Sequence, residues 1–297
     1  MIKPGSRDHV IAILQALLVI SLWASSWVLI KFGLRDIGPL TFAGLRYFLA
    51  FLVLVPFALS GANRRALRGL GRRHLLLLAA LGLLIYMVSP GTQYVALTYL
   101  PAVTTSLLFS FSTVTVALLS GMLLREPPTR LQWWGIAGAL LGGYLYFHPV
   151  RIPVGEFIGM LVALVSMLSY SIAAILGRDI ARSRDVSPLL MTVVSMGVGS
   201  TVLLVGGLAV EGMPSMSLAN WLTIFWLSVA NTSFTFVLWN RTLRTLTAVE
   251  SSILANAMVV EIAVLAWLFL GEHLTILDGA GLGLVILGTL IVQLRGR

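Results

Sequence analysis

The chain has 297 residues, 58% of them hydrophobic and 10% charged. Soluble domains carry about 25% charged residues, so this composition defines an integral membrane protein and sets aside a soluble enzyme or binding module. A net charge of +9 could suit nucleic acid, but the basic residues sit at the ends of apolar segments without interleaved aromatics, and the absence of cysteine excludes disulfides, thiolate metal sites and cysteine catalysis.

An α-helix needs about 20 apolar residues to cross the hydrocarbon core. Runs of that kind fall near 10–33, 40–60, 74–97, 102–124 and 131–148, and again near 156–178, 188–210, 219–243, 248–270 and 276–294. The first follows basic residues, as a signal peptide would, but it is too long for a signal-peptide core and lacks a small-x-small cleavage site, so it reads as a retained span. Links as short as "PPTR" leave room only for antiparallel neighbours. The expected fold is therefore an all-α integral membrane bundle of ten helices with no separate soluble domain. With ten spans, sixteen Lys and Arg fall on the side of the termini and three, Lys31, Arg35 and Arg151, on the other. That asymmetry predicts cytoplasmic termini in a bacterial-type inner membrane.

Along the chain, polar and aromatic side chains recur at helical spacing. The first span carries Trp23, Ser25 and Trp27; the third Tyr86 and Gln93; the fourth Ser106 and Ser110; the sixth Tyr170; the eighth Asn231 and Trp239; the ninth Ser252 and Asn256. Such faces read either as the lining of a midplane cavity that binds a small molecule, or as helix packing and interfacial belts. In "MVSPGTQY", Pro90 removes an intrahelical hydrogen bond and Gly91 adds freedom, which predicts a kink or break that serves as a hinge or only as packing. Charge at depth costs about 3 kcal/mol on insertion scales. Two residues qualify, Arg46 in the second span and Glu261 in the ninth. Each lies roughly 10 Å from the outer end of its helix, and the two read either as a structural ion pair or as a gate or proton-coupling element. The GxxxG spacings Gly138 with Gly142 and Gly279 with Gly283 suggest close helix packing, within a monomer or in a weak homo-oligomer.

Sliding the chain on itself by 146 residues aligns 96–143 with 242–289 without a gap, and 16 of 48 positions are identical, among them Glu126 with Glu272, Thr129 with Thr275, Gly135 with Gly281 and Gly142 with Gly288. Polar and glycine matches point to duplication. Repeats spanning 1–150 and 151–297 hold five spans each, an odd number, so the second copy enters the membrane upside down, an arrangement of secondary transporters that work by alternating access.

"WASSWVLIKFGLRDIGPLTFAGLRYFLA", "ALTYLPAVTTSLLFSFSTVTVALLSGMLLREPPTRLQWWGIAGALLGG" and "LGEHLTILDGAGLGLVILG" resemble the EamA branch of the drug/metabolite transporter superfamily, and within it the YddG-type aromatic amino-acid exporters. The resemblance implies ten helices in two inverted repeats and export of amino acids or related metabolites. It departs from the family pattern in the fourth and ninth spans, where "SFSTVTVA" and "AMVVEIAV" lack the usual mid-helix proline. No catalytic or metal-binding motif is present, so no enzyme activity and no cofactor is expected. The rival cargoes are a nucleotide sugar, a sugar phosphate or a cationic drug. Phosphorylated cargoes would call for several cavity-facing basic residues, whereas Arg46 alone lies deep. A membrane receptor or enzyme is the reading from a different class.

Overall fold

The computed structural model describes residues 7–59, 63, 65, 67, 69–123, 128–148, 153–183, 186–243 and 245–293. All regular structure among them is helical, and it follows the apolar runs: α1 (Arg7–Gly33), α2 (Pro39–Ala58), α3 (Arg72–Gly82, Leu83–Val88 and Ser89–Tyr99), α4 (Ala102–Ser110 and Ser112–Leu123), α5 (Arg130–Tyr146), α6 (Val154–Ser183), α7 (Pro188–Glu211), α8 (Leu218–Ser228, Val229–Phe234 and Thr235–Thr242), α9 (Ala248–Leu270) and α10 (Ile276–Gln293). Nine are apolar over at least 18 residues, long enough to cross a membrane. The other, α5, has 17 residues, or about 26 Å at 1.5 Å per residue, slightly short of a hydrocarbon core about 30 Å thick.

The helices gather into two compact units that cut across the sequence halves 1–150 and 151–297. One comprises Met1–Ile30, Pro101–Val154 and Phe234–Arg297, the other Lys31–Leu100 and Gly155–Ser233.

In the first unit, α5 and α10 approach backbone to backbone. A Cβ on Gly135 would lie 2.7 Å from the carbonyl oxygen of Gly288, and one on Gly142 would lie 2.6 Å from that of Gly281. Only glycine leaves room for such contact. The seam uses a seven-residue spacing rather than the predicted GxxxG pairs: Gly138 meets its neighbour at ordinary distance, and Gly279 and Gly283 meet nothing within 4 Å. Both helices open on capping boxes at twin positions, Thr129 with Gln132 and Thr275 with Asp278. Helix α9 also caps itself, through Thr247 and Glu250, and the Thr247 backbone N–H holds the Glu250 carboxyl below the usual carboxylate range. Helix α4 starts at Pro101 with no side-chain cap of its own. Its cap comes from Glu272, whose two oxygens accept from Ala102 N at 2.7 Å and Val103 N at 3.1 Å. The helix is then interrupted at Phe111, where the Phe111 N–H bonds Leu108 O three residues back, so the interruption arises without a proline.

The second unit is built on α7 lying against α2 and α3. A Cβ on Gly44 would sit 2.6 Å from Leu204 Cα, and one on Gly207 would sit 2.6 Å from Thr41 N. Helix α2 also starts without its own side-chain cap, at Gly38, and Glu211 supplies one from the end of α7, accepting from Leu40 N at 2.9 Å and Thr41 N at 2.8 Å. The core beneath includes Ala50, Leu54, Leu78, Leu81, Leu190 and Met196.

Two helices widen into π turns. Leu83–Val88 of α3 and Val229–Phe234 of α8 each close hydrogen bonds over a longer ring. Their first residues are 229 − 83 = 146 apart, the same offset as the sequence repeat. Where the sequence predicts a kink or break, α3 carries this wide turn just before Pro90, and Pro90 and Gly91 are buried inside a helix that continues to Tyr99. At the twin of Pro90 stands Phe236, so proline is not needed to produce a π turn at this register.

Candidate functional site

Two clusters of polar and aromatic side chains emerge, one in each unit. In the Lys31–Leu100 and Gly155–Ser233 unit the centre is Arg46. Its guanidinium donates from Nε to Thr232 Oγ1 at 3.1 Å and from Nη1 to Tyr94 OH at 3.1 Å, and its carbon lies 5.3 Å from the centre of the Tyr47 ring. Arg46 is 6% exposed. The π turn of α8 sets this geometry. Thr232 donates to Leu227 O and Ser233 to Ser228 O, each five residues back, while Ser228 reaches Arg46 O at 2.8 Å. The wide turn thereby brings Thr232, with an oxygen able to accept, against α2.

Around Arg46 lie aromatic rings. Phe42 meets Tyr94 edge-on at 5.4 Å, and Tyr47 meets Tyr86 at 5.8 Å. Tyr86 belongs to the π turn of α3, which α6 serves at two carbonyls: Ser169 donates to Leu84 O within the turn at 2.9 Å and Ser166 to Ser89 O just past it at 2.7 Å. Tyr170, next along α6, is 36% exposed. Asn231 is fully buried in the α8 turn, and Gln93 is half-buried on α3. A separate groove of about 320 Å³ is lined by Phe51, Val55, Leu67, Val193, Gly197 and Val198 among others. Its walls are apolar, so it offers a polar substrate no hydrogen bond.

In the other unit, Trp23 Nε1 donates to Thr235 Oγ1 at 2.9 Å and its ring lies 5.4 Å from Trp239. Trp27 packs edge-on to Phe109 at 6.4 Å. The serines expected beside them turn inward on their own helices: Ser25 donates to Leu22 O, Ser106 to Val103 O and Ser110 to Leu107 O. Asn256 is committed to packing. It donates to Gln293 Oε1 at 3.2 Å and accepts from Thr289 at 2.8 Å, and Gln293 reaches Thr113 at 3.2 Å, which ties α9 to α10 and α4. The Ser252 side chain and Glu126 lie outside the described residues. Glu261 is half-buried and belongs to this unit, whereas the polar partners of Arg46 are Tyr94 and Thr232 in the other.

Thr232 was not among the residues expected from sequence. Its signal was the 146-residue offset, which pairs the α8 stretch with the stretch of α3 that precedes Pro90. Among the described residues there is no group of three or more His, Asp or Glu placed to hold a metal.

Ten helices, nine of them among the described residues long and apolar enough to cross a membrane, with polar clusters buried inside them, describe a multi-pass membrane protein. The EamA-like transporter family model matches twice, at residues 10–147 and 157–294. The chain belongs to that family. It is 27% identical to the uncharacterized transporter YoaV of Bacillus subtilis, over 91% of this chain and 90% of that one. An uncharacterized transporter of Archaeoglobus fulgidus is 25% identical, over 93% and 96%, and YvbV of Bacillus subtilis, also an uncharacterized transporter, is 28% identical, over 96% and 92%. A solved crystal structure covers 95% of the chain and 96% of its own length with a TM-score of 0.64 at 17% identity, a likeness of fold.

Proposed function

We propose that the protein is a secondary exporter of amino acids, aromatic ones included, working by alternating access from a bacterial inner membrane with both termini in the cytoplasm. The observation that carries this reading is the chemistry of the buried polar groups: in one unit a threonine hydroxyl and tyrosines around one deep guanidinium, and in the other a pair of tryptophans. That set suits a zwitterion with a ring. Several clustered basic residues, which phosphorylated cargo would call for, do not surround Arg46 among the described residues.

The inverted architecture is supported by the double family match and by π turns that recur at the repeat offset. The seam of α5 and α10 agrees with it. Gly135 meets Gly288 and Gly142 meets Gly281, an antiparallel pairing in which exchanging each residue for its twin reproduces the same contacts. Inverted repeats of this kind place substrate near the bilayer midplane and expose it alternately to the two sides.

The test is counterflow in proteoliposomes. Vesicles loaded with phenylalanine or tryptophan are expected to accumulate the labelled amino acid transiently, and a pH gradient identifies proton coupling. Accumulation of nucleotide sugars or quaternary amines, with none of amino acids, would replace the proposal by one of those cargoes.

A further inference from the structure

We infer that Arg46 is the docking point for a carboxylate on the substrate, so that transported molecules are monocarboxylates bearing an aromatic or bulky apolar group. This rests on the amino-acid reading and narrows it: the recognised group is the acid, not the ammonium.

An arginine carries a permanent charge and five N–H donors. Two of them are used, toward Thr232 and Tyr94, which leaves both donors on Nη2 and one on Nη1 without a partner among the described residues. Both acceptors are neutral, and the remaining contact is the face of Tyr47. A charge this far from water is normally compensated by an acid of the same chain, because an uncompensated buried charge is strongly destabilising. Arg46 has no such acid among the described residues, yet it is oriented by two hydrogen bonds and keeps a residual 6% of its surface accessible. Oriented and uncompensated, it offers the fork that a carboxylate fills with two parallel hydrogen bonds.

The surroundings restrict the rest of the ligand. Tyr47 lies beside the cation at 5.3 Å, its ring meets that of Tyr86 at 5.8 Å, tilted by 59°, and Tyr170 is partly exposed on the neighbouring helix. These rings give apolar walls for a side chain that follows the carboxylate. A cationic amine would be repelled by the fixed charge, and a dianionic phosphate would leave one charge unmatched. Tyr94 and Thr232 are positioning residues, since they hold the fork and touch no ligand in this account.

The experiment compares phenylalanine, phenylalaninamide, phenethylamine and phenylpyruvate. Binding to detergent-purified protein is read by thermal shift and transport by counterflow, for the parent chain and for Arg46→Gln, Arg46→Lys, Tyr94→Phe and Thr232→Val. In the parent the two carboxylates are expected to bind and the amide and amine to bind at least tenfold more weakly, the scale of a charge-assisted hydrogen bond. Arg46→Gln should erase that preference while leaving the amide unaffected, and Arg46→Lys should retain part of it, having kept the charge and lost the fork. Tyr94→Phe and Thr232→Val, which leave the charge in place, should weaken carboxylates selectively, and they decide the matter if Arg46→Gln does not fold. An undiminished carboxylate preference in these variants, or equal binding of acid and amide by the parent, overturns the inference. Movement of phenylpyruvate but not phenylalanine would sink the amino-acid reading and leave the carboxylate site standing; movement of phenylalanine and its amide alike does the reverse.

Discussion

Glu272 accepts from the first two amides of α4, and Glu211 does the same for α2. Both helices begin on residues that have no side-chain cap of their own, Pro101 and Gly38, so their exposed N–H groups and positive dipole ends are met by a carboxylate about 170 residues away in sequence. Removing a cap costs about 0.5–2 kcal/mol. Glu272→Ala is therefore expected to lower the thermal unfolding midpoint of the purified protein and Glu272→Gln to lower it less, since the amide keeps one acceptor. Equal midpoints for all three would show the cap to be idle. The sequence singled out Glu272 as a repeat marker but could not say what it bonds, because its partners are backbone groups that look alike at every position. Arg46 was legible for the opposite reason: an arginine amid apolar residues has few harmless explanations. Asn256 and Ser106 show where helical spacing fails. Periodicity says that residues share a face, not what covers it, and here the cover is Gln293 with Thr289 in one case and a carbonyl of the same helix in the other.

At the level of helices, the ten apolar runs and their helices are legible from hydropathy, since a run of about 20 apolar residues satisfies its own backbone groups in lipid as an α-helix. The π turns are not. A shift from four-residue to five-residue hydrogen bonding leaves no compositional trace; Pro90 marked the right helix without indicating the kind of irregularity. Because α8 widens at the same register with Phe236 in place of proline, the turn in α3 is better attributed to what grips it: Ser169 on Leu84 O and Ser166 on Ser89 O. Pro90→Ala is accordingly expected to leave Leu83–Val88 a π turn and transport within about twofold of the parent, an effect under 0.5 kcal/mol, whereas Ser169→Ala should disturb both. An experimental structure of Pro90→Ala showing α3 as plain α-helix would reverse that assignment.

For the molecule as a whole, topology is the property most open to direct measurement, because a chain without cysteine serves as its own background for single-cysteine labelling. Ile276, 95% exposed at the start of α10, lies on the outer side if both termini are cytoplasmic, and Arg72, exposed at the start of α3, lies on the inner. A membrane-impermeant maleimide added to intact cells should label Ile276→Cys and spare Arg72→Cys until the membrane is opened; the converse pattern would turn the molecule over. The glycine seam of α5 and α10 adds a constraint of another kind. Each close contact pairs a glycine of one copy with the twin of the other glycine in its own copy, so the surface is self-complementary. One five-helix ancestor meeting an upside-down copy of itself would have carried both sides of this joint in a single pair of codons, and one substitution would have struck the joint twice. Fusion of two such copies would have freed the two sides to diverge; all four glycines are present in this chain.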